Sequence, residues 1–337
     1  MGWKIVGLLA WVAVMQHARG QAVKQELGSD AGLRGLSVVS GRIAWVSGTG
    51  GTVGRTTDGG TTWQTRVVPG AEKLDFRDVE AFDERVAYLL AAGPGEASRI
   101  YKTTDGGESW RQQAVNREAK GFWDAMAFWD EQNGLVFGDP VEGRFQILAT
   151  EDGGASWKPA DPAGMPQALA KEGAFAASGT CLVARGTREA WFVTGGSGKG
   201  RVFNTADRGK TWRVTETPVA AGNESSGIFS IALGDDGIGI LAGGDYRRPG
   251  DTVGTVARTT DGGQTWRLAG KMTPFCSAVA RVGNRWFAVG TAGAHESLDG
   301  GENWRLVDRG NHNAVAFAKD GVGWAVGPKG SVVRYSP

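Results

Sequence analysis

The sequence predicts an all-β fold, a seven-bladed β-propeller of four-stranded blades, and three observations predict it. First, one eight-residue phrase, Ser/Thr-x-Asp-x-Gly-x-Ser/Thr/Asn-Trp, occurs six times: Thr56–Trp63, Thr103–Trp110, Thr150–Trp157, Thr205–Trp212, Thr259–Trp266 and Ser297–Trp304. Repeats spaced by roughly 40–55 residues are the signature of propeller blades. Second, the runs between these phrases are short and alternate, as in Asp78-Val79-Glu80-Ala81-Phe82 and Asp124-Ala125-Met126-Ala127-Phe128. An aromatic residue marks the second run of most repeats (Trp45, Tyr88, Trp191, Trp286, Trp324), and flanking glycines read as strand ends rather than helix. Third, the chain holds 55 glycines without a collagen period, 41% hydrophobic and 22% charged residues. That composition suits a large core broken by many tight turns.

In chain order, the first element is a leader. Lys4 precedes an apolar stretch from Ile5 to Met15, and Ala18-Arg19-Gly20 places small residues at −3 and −1 of a cleavage point. Residues 1–20 therefore read as a cleavable secretory signal, with Gln21 opening one exported domain, 21–337, in the periplasm or outside the cell. The apolar stretch is too short to span a bilayer, and no other stretch would insert after cleavage. Cleavage removes Lys4 and Arg19 and takes the formal charge of +1 close to neutrality. A near-neutral surface argues against nucleic acid as a partner.

Seven blades follow without linkers. Blade one is expected over 33–69, and the others start at about Phe76, Phe122, Ala174, Gly227, Phe275 and His312. Blade seven has only three strands before the chain ends. The preceding segment Ala22–Leu27 has no blade of its own, so it is expected to pair as the outer strand of blade seven and close the ring, covering an edge otherwise open to pairing.

Each repeated phrase reads as a turn between the third and fourth strands. Its carboxylate (Asp58, Asp105, Asp152, Asp207, Asp261, Asp299) can accept turn amides, its glycine permits positive φ, and its Trp (Trp63, Trp110, Trp157, Trp212, Trp266, Trp304) wedges between sheets. These residues are scaffold. Cys181 and Cys276 are expected as two buried free thiols. They fall at different registers of the first strands of blades four and six, and a disulfide needs Cα atoms within about 7 Å.

The phrase resembles the Asp-box, or BNR repeat, of sialidases and of several non-enzymatic propellers. The fuller blade order, clearest in Ala314-Val315-Ala316-Phe317, Gly323-Trp324-Ala325-Val326-Gly327 and Gly330-Ser331-Val332-Val333-Arg334, is similar to that of the photosystem II stability/assembly factor family. The resemblance covers nearly the whole chain after residue 20. It implies an exported, monomeric, non-catalytic binding or assembly scaffold without cofactor or metal. The implied partner is a protein segment, such as part of a membrane-complex subunit, or else a small ligand or glycan. In that family an arginine-rich patch contacts the partner. Here Arg34 and Arg77 on inner strands, with Arg247 and Arg248 in a loop, are a partial match.

The face opposite the repeated turns carries the candidate site. Inner-strand starts supply Arg34, Arg77, Asp78, Trp123, Asp124, Ser178, Cys276, His312 and Asn313. The two most divergent loops supply Asp139 and Arg144 (138–144) and Asp245, Tyr246, Arg247 and Arg248 (243–249). Arginines and aromatics converging on a mouth suit a carboxylate, a peptide end or a sugar.

The alternative is a sialidase-like glycoside hydrolase. Such chemistry needs three arginines, a Tyr nucleophile and acidic partners. Phe76-Arg77-Asp78-Val79 lacks the expected proline. Tyr88, Tyr101 and Tyr335 fall in predicted strands, leaving Tyr246 with Asp139 and Asp245 as carriers. His295 and His312 have no metal-ligand spacing. A Cys276/His312 dyad would lack its orienting group. Residues 195–200, Gly-Gly-Ser-Gly-Lys-Gly, do not match a phosphate loop, and no dinucleotide motif occurs.

Overall fold

The computed structural model describes residues 22–269 and 273–336. The leader expected over 1–20 lies outside the described residues. The chain forms seven four-stranded antiparallel sheets in a ring. Their inner strands are Leu33–Val38, Phe76–Ala81, Trp123–Phe128, Leu182–Arg185, Ser226–Leu233, Ala278–Val282 and Ala314–Phe317. The second strands are deeply buried, as in Ala44–Gly48 and Ala87–Ala91, because both of their faces pack on neighbouring blades. The core is therefore a set of inter-blade layers. One of them joins Trp45 and Val53 of blade one to Phe76, Val79 and Leu89 of blade two.

The ring closes as the sequence predicts. Ala22–Glu26 pairs antiparallel with the last strand, from Ala22 opposite Tyr335 to Glu26 opposite Ser331. Gln25 does most of the joining. Its Oε1 accepts from Trp324 Nε1 at 2.8 Å and Trp63 Nε1 at 3.3 Å, and its Nε2 donates to Gly59 O at 3.1 Å. Gly60 leaves room for that amide, since a Cβ there would lie 2.0 Å from Gln25 Oε1. Thr65 Oγ1 donates to Leu27 O at 2.7 Å, tying the entering strand to blade one.

The six repeated turns share one hydrogen-bond pattern. In the first, Gly60 N donates to Thr56 Oγ1 at 2.8 Å, Thr62 N to Asp58 Oδ1 at 2.9 Å, and Thr62 Oγ1 to Asp58 Oδ2 at 2.7 Å. The sixth, with Ser297, Asp299 and Asn303, repeats each bond with an amide in place of the last hydroxyl. Two of the Trp rings pack edge-on against aromatics from the preceding blade, Trp63 on Trp324 and Trp110 on Trp45. Arg208 stands where the other turns have glycine and adopts φ 62.

Three blade starts differ from the sequence expectation. Blade four's inner strand begins at Leu182, not Ala174, and residues 174–181 run irregularly over the ring. Within this segment Gly179 takes φ 77 against Asp78, where a Cβ would sit 2.2 Å from Asp78 Oδ1. Blades six and seven start at Ala278 and Ala314, a few residues later than expected. Cys181 and Cys276 are both free and buried, and burial pushes the Cys276 thiol up to about 12.

Candidate functional site

Four inner strands carry a β-bulge at the same place. Pairing skips between Leu33 and Gly35, Phe76 and Asp78, Trp123 and Ala125, and Ile228 and Ser230. The bulged residues are Arg34, Arg77, Asp124 and Phe229. A bulge re-aims a side chain while the strand continues in register. All four bulged residues line a single cavity of about 420 Å³ at the mouth of the ring. Asp139, Phe175, Tyr246, Phe275, Ser277 and Asn313 are among the other lining residues.

Beyond two of the bulges, side chains bond to the next inner strand around the axis. Asp78 Oδ2 accepts from Met126 N at 2.8 Å, and Ser230 Oγ accepts from Val279 N at 2.9 Å. Asp78 is thus buried below the mouth, and burial pushes its carboxyl up to about 7. Desolvation and the Asp78 charge push Glu80, the next residue along the same face, well up.

The cavity has two unlike walls. One is cationic. Arg77 Nε donates to Asp75 Oδ2 at 2.8 Å and its Nη1 to Ala176 O at 3.4 Å. Arg34 lies beside it, half-buried, with no hydrogen bond or ion pair of its own among the described residues. Desolvation, then the Arg77 charge, lower the Arg34 pKa, and Asp75 opposes this in part. An unpaired guanidinium held out of water next to a second cation is a prepared site for an anion.

The other wall is aromatic. Phe175 and Phe229 stack with centroids 3.9 Å apart, Phe275 meets Phe229 edge-on at 4.8 Å, and Tyr246 stands edge-on to the stacked pair, 46% exposed at the lip. Phe175 sits on the irregular blade-four segment. That segment is anchored by the buried Glu172, which pairs with Arg201 and accepts from Thr194 Oγ1 at 2.6 Å.

Between the walls lie two acids. Asp139 Oδ1 accepts from Ala174 N at 2.8 Å, yet desolvation still raises its pKa. Asp124 is 1% exposed, and its Oδ2 is buried with no partner in the protein. Desolvation first, then the Asp139 charge, push the Asp124 carboxyl well up, and Arg77 and backbone N–H groups only partly oppose this. Burial thus biases Asp124 towards its neutral form.

Of the residues singled out in the sequence, the structure brings Arg34, Arg77, Asp124, Asp139, Tyr246 and Asn313 together at this cavity. The others lie elsewhere. Trp123, expected at the mouth, is buried between blades with Met126 and Val136, because it precedes the bulge and points into the sheet stack. His312, also expected there, is 1% exposed and turned outward, its Nε2 2.9 Å from Asp308 Oδ2. Cys276 Sγ lies 3.3 Å from both Thr273 Oγ1 and Pro274 O, so the cysteine and His312 form no dyad. Ser178 Oγ donates to Ser277 O at 3.0 Å within the ring. Arg144 Nη1 reaches Met165 O on the blade-three hairpin.

Asp245 staples its own loop. Burial opposes its ionisation, but Ser225 Oγ, Arg247 N, Asn223 Nδ2 and Arg248 Nε all donate to it and hold it well below the usual carboxylate range. With four donors engaged it is poorly placed to move a proton. Arg248 also pairs with Asp251 beside a separate hollow of about 690 Å³, and Arg247 lies over the Tyr246 ring.

Sequence reasoning missed the phenylalanines of the aromatic wall. Phe229 had a signal that could have found it, because it occupies the bulge position of Arg34 and Arg77 once the repeats are aligned. Phe175 had none, since its segment follows no blade pattern.

No protein-family model and no curated protein matches the chain. Solved structures do match, at identities that speak for the fold alone. The chain is similar to a structure described as YCF48 bound to D1 peptide, at 19% identity and TM-score 0.66, covering 96% of this chain and 98% of that one. It is similar to YCF48 from Cyanidioschyzon merolae at 18% identity and TM-score 0.64, covering 94% and 99%. A streptogramin B lyase matches at 14% identity and TM-score 0.64, covering 94% and 97%. The seven-bladed propeller expected from the sequence is the fold found.

Proposed function

We propose that this protein is a non-catalytic binding scaffold, working after export, whose central mouth holds a segment of a partner protein. The observation that carries the reading is the mouth cavity, where the unpaired Arg34 faces the Phe175–Phe229–Tyr246 wall. Cation and aromatic surface presented together in a concave site are what a protein segment needs for anchoring and orientation. A propeller of the same architecture is described as bound to a D1 peptide. The ligand class, a protein segment, is carried over from it; the identity of the segment is not.

Peptides selected against the domain from Gln21 onward test this, with affinities read by fluorescence anisotropy. Arg34→Ala and Phe229→Ala should each weaken binding by about tenfold or more, the cost of losing one buried anchor. Asp299→Ala, on the opposite face, should leave it unchanged. Equal binding by the wild type and all three variants would place the site elsewhere. Export has its own test: protein recovered from the cell envelope should begin at Gln21 on N-terminal sequencing, and a Met1 start would contradict it.

A further inference from the structure

Among the groups at the mouth, Asp124 has a feature that a general binding surface does not require. Its carboxyl is 1% exposed, lines the cavity, and keeps one oxygen without a partner. Buried polar atoms are nearly always hydrogen-bonded, and an orphan costs about 1–3 kcal/mol. Asp124 sits on a bulge and is approached by backbone N–H groups of Asp139 and Ala176, so its orientation is fixed. Its Oδ2 has no partner among the described residues, so it is left for a ligand in the cavity.

We propose that Asp124 forms the floor of a subsite for a carboxylate attached to an aromatic or bulky apolar body. Its O–H donates to the carboxylate, Arg34 supplies the opposing charge, and the Phe175–Phe229 stack takes the body. This deepens the protein-segment reading and rests on it for the location of the site. The charges agree. Asp75 is paired to Arg77 and compensates Arg34 only in part, so Arg34 keeps charge to offer a ligand. A neutral acid beside a cation accepts an anion, whereas an ionised Asp124 would repel it. The cavity, about 420 Å³, lies at the small end of ligand sites and fits one or two residues or one small aromatic acid.

Binding then depends on a proton. The charged or titratable groups around Asp124 are Arg77 and Asp78 from blade two, Asp139 from the blade-three loop, Cys181 from blade four, and Arg34 from blade one. Arginines do not titrate in the working range. Asp78 and Asp139 titrate in the same direction as Asp124, so a variant is needed to isolate its part.

The probes are 3-phenylpropanoate, its amide, and a pentapeptide ending in Phe with a free carboxylate, titrated by NMR into the chain from Gln21 onward. In the acid range the acid should bind about tenfold more tightly than the amide, and its affinity should fall by about tenfold or more as pH rises through the titration of Asp124. Asp124→Asn keeps a donor and cannot titrate, so its fall with pH should be clearly shallower, leaving only the part due to Asp78 and Asp139. Arg34→Gln should abolish the preference for acid over amide. Thermal melts without probe establish that both variants fold. A flat pH response in the wild type, an unchanged slope in Asp124→Asn, or no preference for the carboxylate would each overturn the assignment.

If only the pentapeptide follows the predicted pattern, the carboxylate belongs to a protein terminus. If the free acid does so and no protein segment binds, the subsite stands and the scaffold reading falls. If selected segments bind through Phe229 with no carboxylate or pH preference, the scaffold reading stands and the subsite falls.

Discussion

The protein uses aspartate in two opposite ways on its two faces. In the six repeated turns each carboxylate accepts the same bonds, and each is held ionised. Asp58 is lowered to about 2 by the Thr62 backbone and hydroxyl bonds, and Asp261 to about 2 by Thr259 and Thr265. At the mouth, Asp78, Asp124 and Asp139 are raised, with desolvation as the first cause in each case. In the repeated turns, repetition goes with satisfied carboxylates and scaffolding. Divergence goes with burial, an unpartnered oxygen and an unpaired guanidinium. A carboxylate given every donor it can accept has no capacity left for a ligand, whereas one deprived of donors keeps it.

The largest expected effect comes from breaking the scaffold side at its closure. Deleting residues 22–27 removes the outer strand of blade seven, the Gln25 bonds and the buried Leu27. The loss should be on the order of 5 kcal/mol, seen as a large drop in thermal melting temperature. A small drop would mean that the ring closes by another route.

Asp78→Asn probes the mouth side. The folded pKa is raised to about 7, so the favourable contribution of the neutral acid is complete below about pH 4 and is lost as pH rises through about 7. The variant should match the wild type near pH 4. At about pH 8 it should be more stable by on the order of 3 kcal/mol, because Asn can still accept from Met126 N without becoming charged. Chemical denaturation at the two pH values reads the difference, and a destabilised variant at high pH would show that the Asp78 charge is needed.

The smallest effect belongs to a single turn. Burial opposes ionisation of Asp207, but bonds from Thr211 and Thr205 outweigh it and keep its pKa low. Asp207→Ala should cost about 1 kcal/mol at neutral pH, discounted for exposure. Its stabilising part is present above the ordinary carboxylate range and is lost as pH falls through the lowered value, so the gap to wild type should close in acid. A gap that persists there would assign the role to packing instead of charge.

The scaffold was legible in the sequence because it repeats. Six copies of one turn define its bonds, and the unmatched Ala22–Leu27 announces the closure. The mouth was legible only in part. Arg34, Arg77 and Asp124 stand at strand starts that the repeat reveals, but period-2 alternation carries no sign of a bulge, and the bulge decides that Asp124 faces the cavity while its neighbour Trp123 does not. His312 misled because it shares the mouth position yet finds Asp308 on the outer side. Phe175 sits on the irregular segment 174–181, which follows no blade pattern and so gives no local signal.

The most direct test of the central claim is a crystal structure of the domain with a selected peptide bound. The account predicts peptide density in the mouth, with an apolar side chain against Phe175 and Phe229 and an anionic group at Arg34. Density along the repeated turns or the outer blade edges, with the mouth unchanged, would contradict it.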